Sequence, residues 1–374
     1  VWAKSLTPIK REQVVALELS GLLGKGPAPL LGLDISSSSI KLVELSRKRN
    51  GQLVLDRYAM EPLPRGAVVD GNVEKIDEVT TVLQRALRRL GSKAKEVAMA
   101  LPSTAVITKR LQLPGDLSEA EMEAQIESEA VQYIPFSLEE VRLDFYVIGP
   151  SAATPGDVDV LIAAARREKV EDRVAIAQSV GLKPVIMDVE SYAARLALER
   201  IIESFPDAGR DMLFAVFSIG SSTTSAIVLL NGEAVYEREQ SFGGAQLTQD
   251  IARAYGLSLE EAETKKRTGD LPEGYERDLL QPFAEVVALE VTRALQFFYT
   301  ATPYSRVDQV LLAGGCSLIA GLPDVVSART QLPVEAVNPF LGMELGPAVR
   351  ERQLRAEESS LLVGCGLALR RFDQ

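Results

Sequence analysis

The sequence contains no histidine. That absence removes Ser-His-Asp and Cys-His catalysis, imidazole metal sites and histidine pH switching together. Cysteine is nearly missing as well. Cys316 and Cys365 form neither a disulfide framework nor a zinc spacing, which fits a reducing cytoplasm. No stretch approaches the roughly 20 apolar residues that span a bilayer. The longest runs, around residues 213–217 and 226–230, are strand-sized. Residues 1–13 are polar and lack the apolar centre of a signal peptide. Positive charge is in deficit, with 41 Lys+Arg against 52 Asp+Glu and a net charge of −11, which argues against nucleic acid as a main partner. Chemistry is left to carboxylates, lysine, hydroxyls, backbone amides and a borrowed metal.

What remains is an ordinary globular chain. It has 374 residues, 46% hydrophobic and 25% charged, enough for two or three domains or one large split domain. Residues 1–29 read as an extension of unclear status. A β-meander opens the patterned part, with strands over 31–35, 40–45 and 53–58. Val79, Leu83, Leu87 and Leu90 keep helical spacing over 76–90, and Gly91 is a natural stop. A strand over 97–101 ends at Pro102. Residues 103–180 read as a small α+β module: a strand, a helix, two strands and a helix. Its first helix has Ser118 and Glu121 in capping-box positions and an apolar face of Met122, Ile126 and Ala130. A βα unit over 184–202 follows.

A second half begins at Met212. It reads as a buried strand over 213–219, a Gly/Ser turn, a strand over 225–230, an Asn231-Gly232 hairpin turn and a strand over 234–240. Helices over 247–255, 259–267 and 282–299, a strand over 307–313 and a closing helix over 360–370 complete it. Residues 31–38 and 216–222 have the same form: a hydrophobic strand entering a Gly/Ser turn before another strand of similar length. Two readings stand, a duplicated fold with a ligand between its halves or two unrelated hairpins.

A turn of small residues between strands clusters backbone N–H groups and hydroxyls, a geometry that suits phosphate oxygens. Ser36, Ser37, Ser38 and Ser39 supply hydroxyls, Lys41 a point charge, and Asp34 a carboxylate able to hold Mg²⁺ through water. The alternative is a hydroxyl-rich turn facing solvent. Gly220, Ser221, Ser222 and Thr223 form a second such turn. Gly314 and Gly315, after a buried strand, let a planar group approach the backbone, or simply make a tight turn. Gly243 and Gly244 add backbone surface at a helix N-terminus. There is no Walker A or G-x-G-x-x-G motif, so neither the P-loop nor the Rossmann route to a nucleotide is supported.

Taken in order, these turns resemble the two phosphate motifs and the adenosine motif of the actin-like ATPases. The resemblance narrows to the PilM family of type IV pilus assembly. It rests on residues 32–45 (G-L-D-I-S-S-S-S-I-K-L-V-E-L), 129–136 (E-A-V-Q-Y-I-P-F), 294–300 (A-L-Q-F-F-Y-T), 312–317 (L-A-G-G-C-S) and 337–340 (V-N-P-F), and covers about residues 30 to 373. It implies an α/β actin-like ATPase fold, U-shaped, with two duplicated lobes around a cleft for ATP and Mg²⁺. It further implies a first lobe over 30–102 and 181–205, an inserted FtsA/SHS2-like module over 103–180, and a second lobe over 206–374 with a smaller subdomain over 243–300. Asp34, Ser36, Ser37, Ser38 and Lys41 would face phosphates, with Asp34 holding Mg²⁺ through water. Gly220, Ser221, Ser222 and Thr223 would form the second phosphate loop. Glu263 and Lys266 would flank ribose and base; their bland reading is a solvated surface pair on a helix. Gly314, Gly315 and Ser317 would back the adenosine.

The chain departs from the family pattern twice. Ser36 stands where glycine is usual, which would strain the turn if positive φ were required. Ser218 stands where aspartate is usual. Because phosphoryl transfer relies on positioning and charge stabilisation, that loss should harm hydrolysis more than binding. The expectation is therefore a cytoplasmic ATP-binding assembly protein at the inner membrane. It would attach through other pilus platform proteins, and it would capture the N-terminal cytoplasmic peptide of a PilN-like membrane protein between the first lobe and the module. The chain's end directly after the last helix, without an FtsA-type membrane helix, fits that indirect attachment. Tyr133, Ile134 and Phe136 are groove candidates, with core packing as the competing reading. The alternatives are an active actin-fold ATPase or kinase and a filament former like FtsA or MreB.

Overall fold

The structure is a computed structural model and describes residues 29–372. The expectation for residues 1–29 falls, but for residue 29, outside them. The chain divides into two compact units, the first of residues up to 194 with 363 onward, the second of 195–362.

In the first unit, β1 (Leu30–Ile35), β2 (Ser39–Arg47) and β3 (Leu53–Pro62) form the meander, and β4 (Val68–Val69) with β5 (Asn72–Val73) a short hairpin. α1 (Ile76–Leu90) ends at Gly91, whose φ of 64° and bond to the Leu87 carbonyl make the expected left-handed cap. β6 (Glu96–Leu101) follows. The module comprises β7 (Val106–Pro114), α2 (Glu119–Ala130), β8 (Val141–Pro150), β9 (Asp157–Arg166) and α3 (Arg167–Ser179). The Ser118/Glu121 capping box forms as read from the sequence. β10 (Lys183–Val189) and α4 (Glu190–Ile202) close the run.

Within this unit the main sheet runs β10-β6-β1-β2-β3, with β1, β6 and β10 parallel and β1-β2-β3 antiparallel. The module's sheet runs β7-β9-β8. One of its faces closes a small core of Leu111, Leu113, Met122, Ile126, Val160 and Ile162. From the other face Ala163 and Ala165 join the core of the main sheet, so the module shares that core rather than standing apart from it.

In the second unit, β11 (Leu213–Ile219), β12 (Thr224–Leu230) and β13 (Glu233–Gln240) form the second meander. Asn231 and Gly232, at φ 51° and 81°, make the hairpin turn read from the sequence. α5 (Ala245–Tyr255), α6 (Leu259–Thr268), α7 (Gln281–Ala301), β14 (Gln309–Ala313), α8 (Leu322–Thr330), β15 (Val334–Ala336) and α9 (Glu351–Arg355) follow. The sheet runs β13-β12-β11-β14-β15, with β11 parallel to β14 and β14 to β15. Strand for strand this repeats β3-β2-β1-β6-β10, which decides for duplication over two unrelated hairpins.

The last helix, α10 (Leu362–Leu369), is shorter than expected and groups with the first unit rather than with the second lobe. Packing explains this. A Cβ on Gly32 of β1 would lie 2.2 Å from the Gly364 carbonyl oxygen, and one on Gly366 would overlap the Ala193 carbonyl. Glycine on both sides lets α10 lie directly on β1 and α4. Arg370 then donates to the buried Asp188 carboxylate at 2.6 Å.

Candidate functional site

In the first unit the turn between β1 and β2 is closed by Ser36, whose N–H and Oγ both donate to the Ser39 carbonyl, at 3.1 and 2.9 Å. Asp34 and Lys41 are cross-strand partners and both are buried. The Lys41 ammonium donates to Asp34 Oδ2 at 2.7 Å and to Ser36 Oγ at 3.3 Å. Two of the residues expected to face phosphates therefore neutralise each other in a buried pair. Ser36 is not among the described residues with positive φ, so the turn accepts its Cβ without the strain considered above.

In the second unit β11 is apolar on both faces, as a central strand must be, and delivers Gly220 to its end. The turn is closed by the Gly220 N–H on the Thr223 carbonyl at 2.9 Å. Thr224 Oγ1 donates to the Phe242 carbonyl and draws the 241–244 loop onto the turn. The N–H groups of Gly244 and Ala245, at the start of α5, donate to the carbonyls of Gly220 and Ser221 at 2.9 and 2.8 Å. Those two helix-start donors are therefore spent within the loop. The backbone surface expected at this helix start is not exposed, because Gly243 and Gly244 are buried in the loop's own packing.

That backbone admits no side chain. A Cβ on Gly243 would lie 2.5 Å from the Ser221 carbonyl oxygen, and one on Gly244 would lie 2.8 Å from Cys316 Sγ. Gly314 has φ +84°, and its Cβ would sit 2.4 Å from the Ile219 carbonyl oxygen. Gly315 is exposed, and a Cβ there would meet only Ser360 Oγ, at 3.7 Å, an ordinary van der Waals contact. Ser317 is buried and its hydroxyl donates to the Gly314 carbonyl at 2.7 Å, so it braces the loop.

Beside this loop, Glu263 and Lys266 lie one turn apart on α6 and meet at 2.6 Å. They are not a plain surface pair. Lys266 also donates to Thr248 Oγ1 at 2.7 Å and reaches the Gly244 carbonyl at 3.4 Å. Thr248 Oγ1 is 2.6 Å from Glu263 Oε2, and Arg267 Nε donates to Oε1 at 2.8 Å. Burial alone would raise the Glu263 carboxyl, but the Lys266 charge and the hydrogen bonds from Lys266, Thr248 and Arg267 bring it down to about 2. Burial pushes the Cys316 thiol up to about 11, partly opposed by Lys266. The structure thus gathers Gly220, Gly243, Gly244, Glu263, Lys266 and Gly314 around one loop, with Ser221 through its carbonyl. Thr248 and Cys316 belong to the same cluster. Sequence reading missed Thr248 because no spacing links it to a pair on another helix. Cys316 was visible only as the residue after two glycines.

Ser218 sits on β11 opposite Ser225 and beside Ala313. Of the groove candidates, Ile134 is buried. Tyr133 is 39% exposed with Lys109 Nζ 4.9 Å from its ring centre, and Phe136 lies under the Arg166 guanidinium. Among the described residues no group of three or more acidic or cysteine side chains forms a metal cage, and no helix is long and apolar enough to cross a membrane.

The repeated order of five strands, with a small-residue turn after the first strand of each unit, defines a protein of the actin-like ATPase fold. A profile of the family "Type IV pilus assembly protein PilM" matches residues 32–372, and the chain belongs to that family. A solved PilM-PilN type IV pilus biogenesis complex is similar, with TM-score 0.75 and 32% identity over 91% of this chain and 98% of that one. The ethanolamine utilization protein EutJ from Carboxydothermus hydrogenoformans follows at TM-score 0.54 and 18% identity, over 92% and 90%. MreB 5 of Spiroplasma citri bound to AMPPNP matches at TM-score 0.45 and 15% identity, over 91% and 95%.

Proposed function

We propose that this chain is the cytoplasmic, ATP-binding component of the type IV pilus inner-membrane platform, and that it holds the N-terminal cytoplasmic tail of a PilN-like membrane protein. The observation that carries ATP binding is the loop of the second unit. Gly315 is exposed and its Cβ side meets only Ser360 Oγ, at 3.7 Å, which leaves backbone that a planar base can approach, while Gly243, Gly244 and Gly314 let the loop pack on itself too closely for any Cβ. Lys266, Glu263 and Thr248 stand beside it as polar groups for a ribose and base. Ser221, Ser222, Thr223 and Ser317 keep the roles that the family resemblance implies. The same holds for Asp34, Ser36, Ser37, Ser38 and Lys41 toward phosphate.

Mg²⁺ fits only with most of its waters and phosphate oxygens retained, because Asp34 is the single carboxylate at its turn and is engaged by Lys41. When bound, the cation would neutralise phosphate charge. The partner assignment is supported by the 32% identical PilM-PilN complex. With residues 363 onward grouped with the first lobe, the domain limits given above belong to the same proposal, the module over 103–180 serving as one wall of the peptide groove. An extended tail would be ordered there against a preformed surface.

Ser218 supports slow hydrolysis or none, and so a nucleotide-stabilised scaffold over an active ATPase or a filament motor. The test is titration of ATP with Mg²⁺ into the full chain, with phosphate release followed in the same sample, and then titration of a PilN-type N-terminal peptide. Binding of both without turnover is the expected result. Absence of ATP binding would overturn the nucleotide reading, and steady turnover would overturn the scaffold reading.

A further inference from the structure

The first unit buries an arginine in an unusual way. Arg173, in the middle of α3, is 2% exposed. A guanidinium has five N–H donors and keeps its charge, so full burial normally comes with a bidentate carboxylate. Arg173 has none. Its Nη2 donates to the Gly71 carbonyl at 2.8 Å, while Nε has no hydrogen-bond partner among the described residues. Its charge is balanced through space by three carboxylates on three elements: Glu190 at the start of α4, Asp172 on α3 and Asp34 on β1. Burial disfavours the cation, and these carboxylates act against that.

The surroundings tie this arginine to the ends of the parallel strands. Gly71, at φ +74°, joins β4 to β5, and a Cβ there would lie 2.3 Å from the Pro102 ring. The acceptor of Arg173 is thereby wedged against the end of β6. The next residue, Ser103, accepts the Ser191 N–H at 3.2 Å, which ties the end of β6 to the start of α4. β1, β6 and β10 are parallel. The carboxyl ends of such strands are where open α/β sheets bind ligands. Arg173 reaches that edge from the module, whose strands β8 and β9 pack with α3 in the same unit.

We propose that Arg173 is a positioning residue that couples the Asp34–Lys41 turn to the inserted module, so that a nucleotide at the turn is felt by α3 and the β7-β9-β8 sheet. This rests on the ATP-binding reading above. Phosphate oxygens arriving at the turn change the field at Asp34. An under-bonded, fully buried guanidinium is the group most sensitive to that change, because no closed ion pair holds it. Its response moves or stiffens α3, and with it the sheet that the helix covers.

The experiment is hydrogen exchange of the full chain with and without saturating ATP and Mg²⁺, after titration has established binding. In the unsubstituted protein, nucleotide should slow exchange over residues 30–45 and also over 106–114 and 141–179. In Arg173→Gln, ATP should still bind and still protect 30–45, while protection of the module falls at least about twofold. Arg173→Lys, which keeps the charge, should restore most of it; a purely structural role would not follow charge in this ligand-dependent difference. Should Arg173→Gln fail to fold, Asp172→Asn alters the same balance from a half-buried position, with a change in module protection expected at unchanged ATP affinity. Module protection that is absent from the unsubstituted protein with ATP bound would overturn the coupling. Protection that is unchanged in the folded Gln or Asn variant would overturn the role of Arg173. A failure to bind ATP at all would be seen first, in the titration, and would remove the reading on which the coupling rests.

Discussion

Replacing Gly244 by alanine tests the loop of the second unit most sharply, because the obstacle is one atom. The backbone of Gly244 is ordinary, at φ −63° and ψ −14°, so alanine meets no conformational barrier. The added Cβ would lie 2.8 Å from Cys316 Sγ, with the next neighbour, the Gly220 carbonyl oxygen, at 3.7 Å. Overpacking of this kind costs about 1–3 kcal/mol. Gly244→Ala should therefore lower stability by about 2 kcal/mol and weaken ATP binding with it. Cys316→Ala alone removes one buried group and should cost about 1 kcal/mol. Because the alanine and the thiol compete for the same space, the double variant should be hardly less stable than Cys316→Ala. The coupling energy would be about 1–2 kcal/mol, the range found for residues in contact. Urea denaturation of the four proteins closes the cycle, and ATP titration of the same four shows whether affinity recovers. A coupling below about 0.5 kcal/mol, the scatter expected of independent sites, would refute the packing argument. Gly314→Ala is the contrast. Its clash is with the Ile219 backbone at φ +84°, so the Cys316 substitution should not rescue it.

Three further outcomes are expected. The Glu263 carboxyl is held at about 2, below its ordinary 4.5, so its contribution to stability is complete above about 4.5 and is lost as pH falls toward 2. Glu263→Gln should flatten that acid limb in urea midpoints measured against pH, by about 1 kcal/mol because the group is partly exposed and screened; an unchanged slope would count against it. Asp188→Ala removes the fully enclosed carboxylate that pairs with Arg370 and should cost about 3–5 kcal/mol in denaturation, whereas a loss under about 1 kcal/mol would mean that this pair does little to hold the end of the chain in place. Ser218→Asp should raise single-turnover phosphate release about tenfold or more with little change in ATP binding, and an unchanged rate with ATP bound would remove Ser218 as the cause of slow hydrolysis.

Local signals in the chain determined most elements where caps and turns are strong. Gly91, the Ser118/Glu121 box and Asn231-Gly232 each acted within four residues and appear as read. The segment between Ser317 and Ser360 was not legible, because α8, β15 and α9 are short and depend on neighbours far along the chain. The phosphate-type turns were visible as Gly/Ser runs. Their duplication became certain only when β3-β2-β1-β6-β10 and β13-β12-β11-β14-β15 proved to be the same order, since strand pairing is long-range and leaves little periodic trace. The same distance hid the chemistry that tertiary structure added. Lys41 proved to be the partner of Asp34, Thr248 joined Glu263 and Lys266 across two helices, and the closing helix packed onto a strand more than 300 residues earlier. Sequence spacing reports what one helix or strand brings together; burial, ion pairing and glycine-to-backbone contact between elements are decided only when the chain folds.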